Sequence, residues 1–377
     1  MSQPLKGIKV LDFSTLLPGP MCTLILAEAG ADVIKLERAA GDEMRSYAPR
    51  FGDDSVNFVL LNRGKRSVCL DLKAEADRAQ VLELVREVDV VVEQFRPGVM
   101  QRLGLDYPTL AQINPRLIYC SITTYGQHGP KALRASHDLN FQAETGMLAL
   151  SADAGGTPLV PPTLTGDLAA GAYPAVVNIL LALRQRDAQG TGQHLDISMT
   201  DNLFTLMYWA LGNGWSGGQW PRPGQELVTG GSVRYAIYRT ADGRHLSAAP
   251  LEERFWNNFL ALIGAPALAD EPDEHVVRAE VARIIASQPA SYWVQKFDGH
   301  DVCVSEIVNI EQAVQDPHFQ ARGIFGRQVV NSAGQSMPAL PVPVCEPFRS
   351  SQVRVAAPAL GEHTNQIAGN TTGGSKP

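Results

Sequence analysis

Ile8-Lys9-Val10-Leu11-Asp12-Phe13 leads into Leu17-Pro18-Gly19-Pro20, then into an apolar run from Met21 to Ala29 closed by Gly30, then into Asp32-Val33-Ile34-Lys35-Leu36-Glu37. The outer segments are short and rich in β-branched and apolar residues, as buried strands are. The run between them has helical length and a glycine stop. Strand, helix and strand make a βαβ unit, whose strands are parallel and whose crossover is right-handed. The Pro18-Gly19-Pro20 turn lacks the G-x-G-x-x-G spacing of a dinucleotide loop. The stretch therefore predicts a Rossmann-like parallel sheet without a nicotinamide site.

The alternation continues on the C-terminal side. Strands are predicted at Ser67–Leu72, Asp89–Glu93, Arg116–Ile122 and His194–Ser198. Helices are predicted at Glu75–Val88, with Val81, Leu84, Val85 and Val88 on one face, and from Asp167 to about Arg186. Pro174 lies in the early turns of the latter, where it can kink the helix. A further helix is expected over Asp201–Leu211. Residues 1–212 thus read as a large Rossmann-like domain. Residues 213–231, rich in Gly, Pro and Trp, read as a linker and a moving segment. Residues 232–325 read as a smaller α+β domain, with a hairpin around Ala241-Asp242-Gly243 and helices at Glu253–Ile263, Glu274–Ser287 and Tyr292–Phe297. Residues 326–377 follow it, with a proline-rich run, Ser336–Pro347, that reads as an extended return path; the tail after Asn370 is expected to fray.

Composition narrows the partners. The net charge of -7 argues against nucleic acid. The five cysteines are scattered with no CxxC, which points to reduced thiols, and no His or Cys spacing suggests a metal. The chain opens directly on a strand pattern rather than a secretory leader, and the run Ala175–Leu183 is too short to span a bilayer. A soluble cytoplasmic protein that engages no membrane is expected.

Two places carry candidate chemistry. Ser136-His137-Asp138-Leu139-Asn140-Phe141 and Thr163-Leu164-Thr165-Gly166-Asp167-Leu168 each put a titratable residue where a loop gives way to an apolar helical run. Helix starts expose unpaired N–H groups and a positive dipole end, which suit a carboxylate or a developing oxyanion. His137 and Asp167 are therefore acid/base candidates, although Asp167 equally suits an N-cap. Glu252 is a third candidate that the local pattern does not single out, because Glu253 beside it fits a helix start equally well. Basic and polar residues gather after the predicted strands: Arg38; Asn62, Arg63, Lys65 and Arg66; Arg96, Pro97 and Gly98 with Arg102; and Tyr125 with Gly126. Ligands of open α/β sheets bind at the carboxyl ends of strands, and guanidinium groups there suit phosphates.

Several segments together resemble the family III coenzyme A transferases, the CaiB/BaiF group, which includes the α-methylacyl-CoA racemases. They are Leu5–Asp12, Leu26–Glu37, Leu61–Lys65, Phe95–Gly98, Tyr125–Gln127, Gly190–Gln193 and Leu360–Thr364. The resemblance implies a Rossmann-like domain built from both chain ends, an interlocked homodimer, and an acyl-CoA thioester as substrate with no tightly bound cofactor. It implies that Asp167 acts either as a nucleophile that forms an acyl-enzyme during CoA transfer, or as one of two proton-transfer residues in a racemase. Ser136–Phe141 resembles the racemase segment with the catalytic His, and Leu251-Glu252 the stretch with a supporting Glu. Glu253-Arg254-Phe255-Trp256 departs from the usual Pro-Gln-Phe-Tyr. The expectation is epimerisation of 2-methylacyl-CoA thioesters, with CoA transfer as the alternative.

Overall fold

The structure, a computed structural model, describes residues 3–153 and 156–368. The tail after Asn370 lies outside the described residues. Two compact units emerge: Met1–Thr145, Pro161–Met207 and Gln320–Pro377 form the first, and Gly146–Val160 with Tyr208–Phe319 form the second.

The first unit is organised by β1 (Lys9–Asp12), β2 (Asp32–Glu37), β3 (Arg66–Cys69), β4 (Val90–Glu93), β5 (Ile118–Thr123) and β6 (Gln193–Ser198). They form one parallel sheet in the order β3-β2-β1-β4-β5-β6. Among its helices are α1 (Pro18–Glu28), α2 (Val56–Asn62), α3 (Glu75–Val85), α4 (Asp138–Glu144), α5 (Tyr173–Gln189) and α6 (Met199–Leu206). Leu11, Ile34, Val68 and Val91 pack with Val81 and Val85 of α3 on one face. The alternate residues Val10, Val33 and Val90 are buried too and face the other way. There α1 and α5 pack on each other and on the sheet. Burial on both faces explains the near-continuous apolar strands.

The helix that ends in α5 starts irregularly. Gly166–Ala172 winds as a π-helix and passes into the α-helix at Tyr173. Pro174 sits at the start of α5 and has no N–H to give, so the regular ladder resumes only beyond it. The whole stretch Gly166–Gln189 is long and apolar enough to cross a membrane, with a mean hydropathy of 1.5. In the fold it packs against α1, α6 and the sheet.

The second unit carries α7 (Tyr208–Gly217), α8 (Glu253–Leu262), α9 (Glu274–Ile285) and α10 (Ala290–Phe297), with the antiparallel sheet of β7 (Ala236–Arg239), β8 (His245–Ala248) and β9 (Val304–Glu306). Trp256, Phe259, Trp293 and Phe297 form its centre, with ring centroids 5.6–5.9 Å apart. Two boundaries differ from the sequence reading. Residues 213–231 are no free linker, because α7 runs into them and they belong to this unit. Gly146–Val160, read as part of the large domain, also belongs here. The second difference has no local signal, since contacts far along the chain decide it.

The return segment adds β10 (Gln328–Val330), β11 (Ser336–Pro338) and β12 (Arg354–Ala356) to the first unit, where the sequence suggested only an extended path. Val329 and Ala339 pack on Val59 of α2. Farther on, the His363 N–H donates to the Ser67 carbonyl at 2.9 Å, and the Cys69 N–H donates to Thr364 Oγ1 at 2.9 Å. Both bonds cover β3, the edge of the sheet.

A buried polar network fills the ground between β1, β2, α1 and α2. Lys65 Nζ meets Asp12 Oδ2 at 3.3 Å, Thr23 Oγ1 at 2.7 Å, the Pro20 carbonyl at 2.9 Å and Asn62 Oδ1 at 2.9 Å. Lys35 Nζ meets Asp42 Oδ2 at 2.9 Å and the Ser14 carbonyl at 2.7 Å. Neither ion pair has exposed side-chain surface. Burial alone would raise the Asp12 carboxyl, yet Lys65 and Lys35 outweigh it and hold the group below the usual carboxylate range. Burial pushes the Lys65 ammonium down to about 8. Removing one partner of such a pair strands the other charge. Lys65→Met should therefore cost about 3–5 kcal/mol, read as a lower urea midpoint, and Asp12→Asn added to it should recover part of the loss. A Lys65→Met protein of unchanged midpoint would show that the pair is not structural.

Candidate functional site

The strand order reverses between β1 and β4, so the connections leaving these neighbours diverge and open a crevice at the carboxyl edge of the sheet. Two cavities lie at that edge. The first, of about 400 Å³, is lined by Leu16, Gln94, Phe95, Arg96, Pro97, Arg134, His137, Asn140, Phe141 and Asp167, among others. The second, of about 480 Å³, lies at the ends of β1 to β4, with Phe13, Leu36, Leu70, Phe95 and Leu103 as walls; its charged margin holds Arg38, Lys73 and Arg102 together with the acids Glu37, Asp42, Glu43 and Asp71, and Arg38 is paired with Glu43 at 3.3 Å. Phe95 is common to both.

Each wall has a local cause. Leu16 adopts a left-handed φ of 60°, rare without glycine. Its N–H donates to Asp42 Oδ1 at 3.3 Å, which ties the turn to the buried network. Gln94 braces the same turn: its Nε2 donates to the Thr15 carbonyl at 2.6 Å and its Oε1 accepts from the Gly19 N–H at 3.1 Å. A Cβ on Gly19 would overlap Ser14, so only glycine lets the two loops meet.

His137 is the exposed N-cap of α4, and its own N–H donates to Asn140 Oδ1 at 3.0 Å. Asp167 is half-buried in the first turn of the π-helical stretch. Its N–H donates to Asp138 Oδ1 at 3.0 Å. Asp138 is buried, and its other oxygen accepts from Gln142 Nε2. Gly166, just before Asp167, lies so close that a Cβ would overlap the Phe141 ring and stand 2.9 Å from Asp138 Oδ1. Burial, and then the neighbouring Asp138 charge, push the Asp167 carboxyl up to about 7. A carboxyl poised there can both hold and release a proton near neutrality.

His137 and Asp167, 30 residues apart in the chain, thus line one cavity. Glu252 lies in the second unit, as the exposed N-cap of α8. Arg96 and Pro97 line the first cavity, Arg38 and Arg102 the second. Gly98 is the left-handed N-cap of the short turn Val99–Arg102. The remaining basic residues are placed elsewhere. Lys65 and Asn62 are interior members of the polar network. Arg63 is buried on Glu28 at 2.8 Å and on the Leu340 carbonyl at 2.8 Å. Arg66 pairs with Asp32 where β3 and β2 begin, at the opposite edge of the sheet. Gly126 is a buried left-handed turn beside Asp196, and the Tyr125 ring lies under the Lys131 ammonium; neither lines either of these two cavities. Gln94, Arg134 and Asp138 were not anticipated from the sequence; of these only Asp138, next to His137, carried a local hint. No metal-binding group of His, Cys, Asp and Glu occurs among the described residues.

Comparison with known proteins agrees with this architecture. Residues 5–364 match CoA-transferase family III. The chain belongs to that family. It is 34% identical to the acetyl-CoA:oxalate CoA-transferase of Acetobacter aceti, over 95% of this chain and 93% of that one. It is 32% identical to the α-methylacyl-CoA racemase of Mus musculus, over 96% and 92%. A CaiB/BaiF family protein from Brucella suis superposes with a TM-score of 0.83 at 28% identity, covering 98% of this chain and all of that one. The protein is therefore an enzyme of family III, a group whose relatives include both racemases and CoA-transferases.

The raised Asp167 carboxyl has a consequence for stability. Its folded pKa lies above the unfolded value of about 3.9, so the folded state holds the extra proton. Stability from this group is present at low pH and falls as pH rises from about 4 to 7. Asp167→Asn removes that loss. At pH 8 the variant should melt roughly 3–6 °C higher than wild type, and the two should coincide near pH 4. A variant less stable than wild type at pH 8 would contradict the placement of Asp167.

Proposed function

We propose that the enzyme epimerises 2-methylacyl-CoA thioesters by a 1,1-proton transfer at the α-carbon. The observation that carries this reading is the sharing of one cavity by His137 and an Asp167 carboxyl poised near neutrality. In one direction the neutral imidazole takes the α-proton. The electron pair moves onto the thioester oxygen as an enolate, and protonated Asp167 returns a proton to the opposite face. In the reverse direction the roles exchange. The first N–H groups of α4, at Asp138 and Leu139, lie too early in the helix to have a partner within it and suit the enolate oxygen. The second cavity suits the nucleotide end of CoA, with apolar walls for the base and Arg38 and Arg102 for phosphate. No tightly bound cofactor is needed for this chemistry.

A CoA-transferase is the second reading, favoured by the identity to the Acetobacter aceti enzyme. There an ionised Asp167 would attack the thioester, and the acyl-enzyme would pass its acyl group on. A carboxyl near 7 is about half protonated at neutral pH, which suits a group that must both take and return a proton.

The two readings separate in deuterated water. With a 2-methylacyl-CoA and no second acid, the α-proton signal should disappear by NMR while both epimers form. His137→Ala should slow that exchange roughly 10²–10⁴-fold and leave CoA binding intact. No exchange in the wild-type enzyme, together with a hydroxylamine-trapped acyl group on Asp167, would establish the transferase instead.

The same proposal includes a homodimer. Tyr173, Val177, Leu180 and Leu181 leave an apolar strip of α5 exposed, with Val177 at 55% and Leu181 at 63%. Light scattering should give twice the chain mass, and a Val177→Glu/Leu181→Glu double variant should give the single-chain mass. A wild-type chain that stays monomeric at micromolar concentration would exclude the dimer.

A further inference from the structure

Asp138 is a buried acid beside a catalytic candidate, and ion pairing does not explain it. Among the described residues no Lys or Arg is paired with it. Lys131 and Arg134, the nearest cations in sequence, both go to Glu144, at 2.6 and 2.9 Å. The two carboxylate oxygens of Asp138 are instead held by neutral donors, the Asp167 N–H and Gln142 Nε2. Its position at the first residue of α4 adds the partial positive charge of a helix start. Neutral donors stabilise an anion without cancelling its charge, so the charge still acts on what lies next to it. What lies next to it is Asp167.

We propose that Asp138 is a positioning residue for Asp167: it pins the Gly166–Asp167 backbone against α4 and sets a second negative charge beside the Asp167 carboxyl. The first half rests on the 3.0 Å bond to the Asp167 N–H and on the close approach at Gly166, where no side chain fits between the segments. The second half rests on the lack of any other strong field. The π-helical stretch packs against α1, α4, α5, α6, β5 and β6. On α1, Glu28 lies at the far end and is paired with Arg63. On α4, Glu144 is taken by Lys131 and Arg134. On α5, Arg186 lies in the last turn and is paired with Asp89. Asp201 of α6 bonds to Ser198 and Thr200, and Asp196 of β6 to the Gln127 N–H. His194 of β6 bonds to Ser121. Arg96, Arg134 and His137 line the cavity itself. Of all these, only the Asp138 charge adds to burial in raising the Asp167 carboxyl.

The catalytic consequence of this arrangement rests on the proton-transfer reading above; the electrostatic claim does not. The test is a carbon-13 NMR titration of the full-length enzyme labelled at aspartate carboxyl carbons, with the Asp167 resonance identified by its absence in Asp167→Asn. Asp138→Asn keeps the shape and the oxygen that accepts the Asp167 N–H but removes the charge. Asp167 should then titrate at least about one pH unit lower than in wild type, a tenfold change in its proton affinity. Asp138→Ser, which removes the charge by a different side chain, should lower the Asp167 midpoint by a similar amount. This second measurement holds even if Asp138→Asn fails to fold. Unchanged midpoints in either folded variant would overturn the proposal. If the midpoints move but wild-type enzyme shows no α-proton exchange, the coupling stands and the racemase reading falls.

Discussion

The structure depends on two lysines that never meet water. Lys35 and Lys65 are buried against Asp42 and Asp12 directly beneath the point where the sheet reverses its order. Such a network adds little net stability over an apolar core, but it fixes geometry, because each group has few acceptable partners. Asp12 ends β1 and bonds to Ser14; Asp42 receives the N–H of Leu16. The network thus sets the loop after β1, and that loop forms a wall of the first cavity. Gln94 ties the same loop to the end of β4. The crevice therefore owes its shape to bonds made below it.

Above this floor the site is built by exclusion. Glycine at 166 lets the π-helical stretch approach α4 closely enough for an aspartate N–H to reach a second aspartate. The π register lasts until Tyr173, and Asp167 sits in its first turn, at the mouth of the helix. The outcome is a carboxyl whose charged form is disfavoured in a cavity that also holds an imidazole. Acid and base come from two chain segments that share no local pattern.

How much of this was legible in the sequence follows from how local each cause is. The six strands of the sheet could be read, the inner ones because apolar runs buried on both faces need no knowledge of their partners, and the edge strand β6 from its alternation of polar and apolar residues. His137 and Asp167 could be read as a pair through helix-start chemistry and family resemblance. The segment Asn62–Arg66 was misleading. Arg and Lys after a helix resemble a solvated ligand site, and the acids that bury them, Asp12 and Glu28, lie 53 and 35 residues away. The role of Asp138 was hidden for the same reason, since its partner N–H is 29 residues downstream. The assignment of Gly146–Val160 to the second unit and the small sheet of the return segment likewise depend on distant contacts.

One bond in the fold also has a meaning in time. Cys69 is covered by Thr364, 295 residues later in the chain. At a synthesis rate of about 5–20 residues per second, the edge strand waits roughly 15–60 s on the ribosome before its cover exists. An uncovered edge is a template for pairing with another chain. The turn that begins at Thr364 therefore acts as a latch on the sheet edge that can close only late in synthesis.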